Sequence, residues 1–148
     1  MNDNNIRPEE GSADAAPRRQ ESRSYRILVA EDDPAIRFLM TTLLVNSGYH
    51  VDSAEDGAIA WEALLSRPYD LLITDHHMPK KTGVELVKHL HSSRMVLPVV
   101  MVSGDMLESD SGGKSSQPIA AMLTKPFAQA ELLETVANVL RRAHISHG

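Results

Sequence analysis

The chain has 148 residues, 42% of them apolar, enough for one domain with a real core and too few for a second folded unit. A formal charge of −5 and an isoelectric point near 5.8 argue against a phosphate-binding surface of its own, and the pairs Arg18–Arg19 and Arg141–Arg142 lie among acids or at a helix end, where a solvated face accounts for them. The absence of cysteine excludes disulfides and thiol chemistry, and no apolar run reaches the length of a membrane span or a signal core, so a soluble, cytoplasmic protein is expected.

Residues 1–24 hold five apolar side chains, two prolines and nine charges of mixed sign, which cannot bury enough surface to offset ordering. A disordered tail is expected there, with one domain over 25–144 and a short tail over 145–148. The domain opens on an apolar run, Ile27-Leu28-Val29-Ala30, followed by Asp33-Pro34, an Asx cap with proline at the first helical position. Ile36, Leu39, Met40, Leu43 and Leu44 recur at helical spacing until Gly48. Tyr49–Ser53 alternates as a strand and Asp56–Ser66 reads as a helix. Leu71-Leu72-Ile73-Thr74 forms a third strand, and Val84, Val87 and Leu90 mark a helix after Gly83. Val99-Val100-Met101-Val102 is a fourth strand and Met122-Leu123-Thr124 a short fifth. Leu132, Leu133, Val136, Val139 and Leu140 stripe the last helix.

Strands that are apolar throughout, separated by amphipathic helices, indicate an α/β fold with a doubly wound parallel sheet covered on both faces. In such folds a ligand site lies at the carboxyl ends of the strands, where strand order reverses. The polar residues at those ends are Glu31, Asp32 and Asp33 after the first strand, Asp75 after the third, Ser103 after the fourth and Lys125-Pro126 after the fifth. Carboxylates gathered at one rim repel one another and call for a cation; oxygen-only ligands suit Mg²⁺, which shares its octahedron with a phosphoryl oxygen.

ILVAEDDPAIRFL, LLITDHHMP, VVMVSG and LTKPF, in this order, resemble the receiver domain of bacterial two-component response regulators, the CheY-like family, over about Tyr25 to Ala143. The resemblance implies a flavodoxin-like (βα)₅ domain with a five-stranded parallel sheet that takes a phosphoryl group from a sensor histidine kinase or histidine phosphotransfer protein. It makes Asp75 the phosphoacceptor and a metal ligand, with Glu31 and Asp32 the acidic pair holding Mg²⁺, Asp32 directly and Glu31 through water. The main-chain carbonyl of His77 is the remaining metal ligand, Ser103 the hydroxyl that turns toward the phosphoryl group, and Lys125 its charge partner. The family also tends to have a cis peptide at the position of Lys125-Pro126. Phosphoryl transfer needs mostly positioning and charge neutralisation, which these residue types supply. The acyl phosphate is hydrolysed by water, so enzymatic action is limited to self-phosphorylation and slow autodephosphorylation, with His77 and Asp105 at the rim setting access.

Asp33 also reads as a helix cap alone, and Ser103 before Gly104 as the start of a turn. Adjacent residues at a strand end point opposite ways, which argues against His76 and His77 as a transition-metal pair. His89 and His91 cannot share a helix face and are expected in solvent. Met40, Met101 and Met122 are assigned to the core. Gly104–Pro118, with three Gly, four Ser and one Pro in fifteen residues, predicts that the family's fourth helix is shortened, melted or replaced by a mobile loop. Such a loop could order on phosphorylation and act as the switch. Met122 occupies the place of the family's switching aromatic, and Thr82 replaces the usual acid of the turn after Met78-Pro79.

Two functions follow. The first is a single-domain response regulator or phosphorelay shuttle that signals by protein–protein contact, because only a few residues follow the last helix. The second is a phosphorylation-independent binding adaptor; a small-molecule phosphohydrolase is a remote third. The downstream protein is not identified by the sequence, no nucleic-acid or membrane partner is expected, and a homodimer through the stripe Leu132–Leu140 is possible.

Overall fold

The computed structural model describes residues 25–104 and 119–145. The expectations for the N-terminal tail, for Asp105 and for nearly all of the Gly104–Pro118 segment, including its mobility and its switching, lie outside the described residues. In chain order the elements are β1 (Arg26–Ala30), α1 (Pro34–Asn46), β2 (His50–Ala54), α2 (Gly57–Ser66), β3 (Leu71–Asp75), α3 (Gly83–Ser92), β4 (Val99–Ser103), β5 (Ala121–Thr124) and α4 (Gln129–Ile145). The predicted elements recur within a residue or two, and α4 runs one residue past the expected boundary.

All four strand pairings are parallel, and the sheet order is β2-β1-β3-β4-β5. The central strands are buried on both sides, as their continuous apolar character requires. Alternate residues serve opposite layers. Ile27, Val29, Leu71, Ile73, Val100, Val102 and Leu123 pack with Met40 and Leu44 of α1 and Leu132, Val136 and Leu140 of α4. Leu28, Ala30, Leu72, Val99 and Met101 pack on the other face with Ala60 and Leu64 of α2 and Leu86 and Leu90 of α3. Since the Leu132–Leu140 stripe covers the sheet, it is already committed to the core.

The helix starts follow the chemistry read from the sequence. Asp33 is the N-cap of α1 and accepts from the backbone N–H groups of Ala35 and Ile36, with Pro34 following at the first helical position. Asp56 caps α2 through Ile59 N–H. α1 ends at Ser47, and Gly48, at φ 100°, turns the chain into β2. One core assignment fails: Met40 and Met101 are buried, but Met122 is 51% exposed. β5 is an edge strand whose inward residue is Leu123, so period-two alternation turns Met122 outward.

Candidate functional site

The strand order reverses between β1 and β3, and the acidic residues lie on either side of that switch point. Glu31 and Asp32 leave the end of β1, Asp75 closes β3, Ser103 closes β4, and Lys125 follows β5 directly. Register brings these ends level. Asp75 pairs with Val102 and Ser103 with Thr124, while backbone bonds from His76 to Val102 O (2.8 Å), from Lys125 to Ser103 O (2.8 Å) and from Glu31 to Ala54 O (3.0 Å) extend the ladder by one residue on each loop. The convergence follows from register, with two side chains supplied by the end of β1 and one each by the ends of β3, β4 and β5.

One carboxylate oxygen from each of Glu31, Asp32 and Asp75 lies within 4.8 Å of the others. Glu31 is wholly buried and Asp75 nearly so, at 4% exposure, whereas Asp32 faces solvent. Lys125 Nζ sits between the two buried acids, 3.1 Å from Asp75 Oδ2 and 3.2 Å from Glu31 Oε1. Three carboxylates against one ammonium leave a formal excess of two negative charges at a rim where two of the acids are buried. Burial pushes the Glu31 carboxyl up to about 6; the Asp33 N–H and Lys125 pull it down, and the Asp75 charge pushes it further up. Burial alone would lower the Lys125 pKa, but its hydrogen bond to Asp75 and the charges of Asp75 and Glu31 outweigh that and hold it above its ordinary value. The backbone around the acids is also fixed, with Arg37 Nη1 donating to Glu31 O (2.9 Å) and Asp33 N–H donating to Glu31 Oε2 (3.0 Å).

The donor set fits Mg²⁺. Glu31 Oε1 is buried and lacks a hydrogen bond of sound geometry, even with Lys125 Nζ at 3.2 Å. A buried carboxylate oxygen left in that state is stabilised by a cation. Two oxygens on one Mg²⁺ are separated by at most about 4.2 Å, so three within 4.8 Å need only a small shift or one bridging water to share an ion.

The structure refines several predictions. Asp33 is a cap and stands outside the acidic trio. The rings of His76 and His77 do not point apart but meet at 4.5 Å, because the chain leaves the strand pleat after Asp75. The metal-capable group among the described residues contains neither imidazole. His89 is half-buried, edge-on to Trp61 at 5.1 Å, while His91 is exposed as expected. Thr82 begins α3 with a capping box: its hydroxyl accepts from Glu85 N–H, and the Glu85 carboxylate accepts from Thr82 N–H. The Thr-x-x-Glu spacing carries that signal in the sequence. Ser103 is 2% exposed at the end of β4, His77 is exposed in the loop after β3, and Lys125–Pro126 is a cis peptide.

The model of the response regulator receiver domain matches residues 27–137, three quarters of the chain and all of the strand ends described above. The chain belongs to that family. Among curated relatives, the response regulator receiver protein CpdR of Brucella abortus is 32% identical over 115 residues, spanning 78% of this chain and 96% of CpdR. The transcriptional regulatory protein PhoP of Bacillus subtilis is 31% identical over 82% of this chain but only 50% of its own length. The chain spans about half the length of several such relatives. Among solved structures, the receiver domain of Francisella response regulator 1452 superposes with a TM-score of 0.74 at 30% identity, covering 81% of this chain and 99% of that one. Response regulator TrrA of Thermotoga maritima, in complex with Mg(2+)-BeF, superposes at 0.68 with 28% identity over 78% and 98% of the two chains. Receiver domains are regulatory modules of two-component systems that interact with histidine kinases or phosphotransfer proteins. Among the described residues, no helix is long and apolar enough to cross a membrane.

Proposed function

We propose that this receiver domain accepts a phosphoryl group on Asp75 from a phosphohistidine of a sensor kinase or phosphotransfer protein, and signals through protein–protein contact as a single-domain response regulator. The observation that carries this reading is the placement of a nearly buried Asp75 at the switch point, 3.1 Å from an ammonium and beside two further acids. In the reaction the histidine N–P bond breaks as a bond forms between phosphorus and a carboxylate oxygen of Asp75, so charge is redistributed with little covalent work for the protein.

Glu31 and Asp32, with the main-chain carbonyl of His77, would hold Mg²⁺ beside Asp75. When bound, the ion neutralises charge on the transferring group. Lys125 moves from carboxylate partner to partner of a phosphoryl oxygen, which its 3.1 Å contact with Asp75 allows with little motion. Ser103, on the strand paired in register with Asp75, donates its hydroxyl to the same group. His77, exposed just beyond Asp75, controls water access and hence the lifetime of the acyl phosphate. The donor must approach where Asp32 opens to solvent. There α1 begins, and its Phe38 (72% exposed) and Val45 (50%), seven residues apart on one face, offer apolar surface to a protein partner.

Acetyl phosphate with Mg²⁺ tests the reading. Intact mass should show one added phosphate on the native chain and none on Asp75→Ala. An unmodified native chain would instead support the adaptor reading, with the fold kept and the switch lost.

A further inference from the structure

The loop of residues 76–82 carries the His77 carbonyl, and the structure shows what holds that loop in place. Its turn is strained: Lys81 N–H bonds back to Pro79 O at 2.7 Å, closing a γ-turn around Lys80, which has φ 69°. A non-glycine residue stays in such a conformation only where its surroundings over-determine it. Two glycines from different helices provide that constraint. Gly83, at the start of α3, lies under Asp75 and His76, so that a Cβ there would stand 2.6 Å from Asp75 O and 3.0 Å from His76 Cα. Gly57, at the start of α2, lies against the far end of the loop. A Cβ there would stand 2.0 Å from Lys81 O, 2.4 Å from Lys81 Cβ and 2.7 Å from the Lys81 carbonyl carbon. Gly57 N–H also reaches Pro79 O at 3.4 Å. Between the two contacts, Met78 is buried in the core of this face.

Gly57 does not have a left-handed φ, so its identity is not required by its own backbone. Alanine there would suit the helix better, and the three nearest atoms a methyl would meet all belong to Lys81. We propose that Gly57 is a positioning residue for the metal site: the bare backbone at the start of α2 seats the 76–82 loop so that the His77 carbonyl faces the acidic trio. This rests on the reading of the site given above. A methyl group at position 57 would stand 2.0 Å from Lys81 O, so the Lys81 backbone must retreat by at least about 1.4 Å to reach ordinary contact, and misplacement of a supporting group costs metal sites about 10- to 100-fold in affinity. The ion pair between Lys80 and Asp56, 3.8 Å apart with Lys80 largely exposed, holds the loop far less.

The test is Mg²⁺ affinity measured by calorimetry on the native chain, Gly57→Ala and Lys80→Ala, with thermal melting in chelator to report the fold. Gly57→Ala is expected to bind about 10-fold more weakly while still melting cooperatively, and Lys80→Ala to stay within about twofold of native. Native-like affinity in Gly57→Ala overturns the positioning role, and an equal loss in Lys80→Ala overturns its steric origin. Should Gly57→Ala fail to fold, hydrogen exchange on the native chain decides the matter. Mg²⁺ should slow exchange of the Gly57 amide, whose bond to Pro79 is long, and an unchanged rate would overturn the proposal. A native chain that binds no Mg²⁺ refutes the reading of the site itself, separately from the role of Gly57.

Discussion

Replacing Glu31 by glutamine should stabilise the metal-free protein at neutral pH, although it removes a charge that faces a lysine. The Glu31 carboxyl is pushed from its ordinary 4.5 to about 6, chiefly by burial. The folded protein therefore binds the Glu31 proton more tightly than the unfolded chain, and stability falls as pH rises from about 4.5 to about 6. At ~1.4 kcal/mol per tenfold change in proton affinity, holding Glu31 ionised above pH 6 costs about 2 kcal/mol. Glutamine keeps the shape and an acceptor for Asp33 N–H without that cost. In chelator at pH 7, Glu31→Gln should melt about 8 °C above the native chain, taking roughly 4 °C per kcal/mol for a domain of this size. The two should converge below about pH 4.5, where native Glu31 becomes protonated in both states. Calorimetric melts from pH 4.5 to 7.5 measure the difference. A variant less stable at pH 7, or a gap that does not change with pH, would refute the claim that burial dominates at Glu31.

Three further outcomes follow from the same geometry. Lys125→Met leaves Asp75 and Glu31 facing each other without compensation, and should cost about 3 kcal/mol in urea unfolding at pH 7; the deficit should shrink as pH falls below about 6 and Glu31 takes up a proton. Thr82→Ala removes the hydroxyl half of the α3 capping box and should cost about 1 kcal/mol by the same assay, without abolishing Mg²⁺ binding. Tyr69 donates to Asp52 Oδ2 at 2.7 Å, and burial with that carboxylate pushes its phenol up to about 12. Native stability should therefore drop as pH climbs from about 10 toward 12, and Tyr69→Phe should lose about 1 kcal/mol at pH 8 and show a flatter decline above pH 10.

Much of the fold was legible because its rules are local. β1, β3 and β4 each carry three or four consecutive apolar residues, which a sheet covered on both faces accommodates, and Asp33-Pro34 marks a helix start without reference to anything distant. The site was legible for a related reason: in a parallel sheet, the residue after each strand necessarily reaches the same rim. What escaped was tertiary. Met122 carries the same chemistry as the buried Met101, and only its place on an edge strand exposes it. The His76–His77 contact depends on where the pleat ends, and the half-burial of His89 on Trp61, 28 positions earlier in the chain. The fit of Gly57 against Lys81 joins residues 24 positions apart and leaves no pattern in either segment.

The central claim is that the Asp75 carboxylate itself takes the phosphoryl group. Borohydride reduction of the phosphorylated chain, followed by peptide mass spectrometry, reads this directly, because only an acyl phosphate is reduced to the alcohol. The account predicts homoserine at position 75 in the sample treated with acetyl phosphate and Mg²⁺, and aspartate there when Mg²⁺ is chelated. Reduction at another carboxylate, or a phosphate that resists borohydride on a histidine or serine, would contradict it.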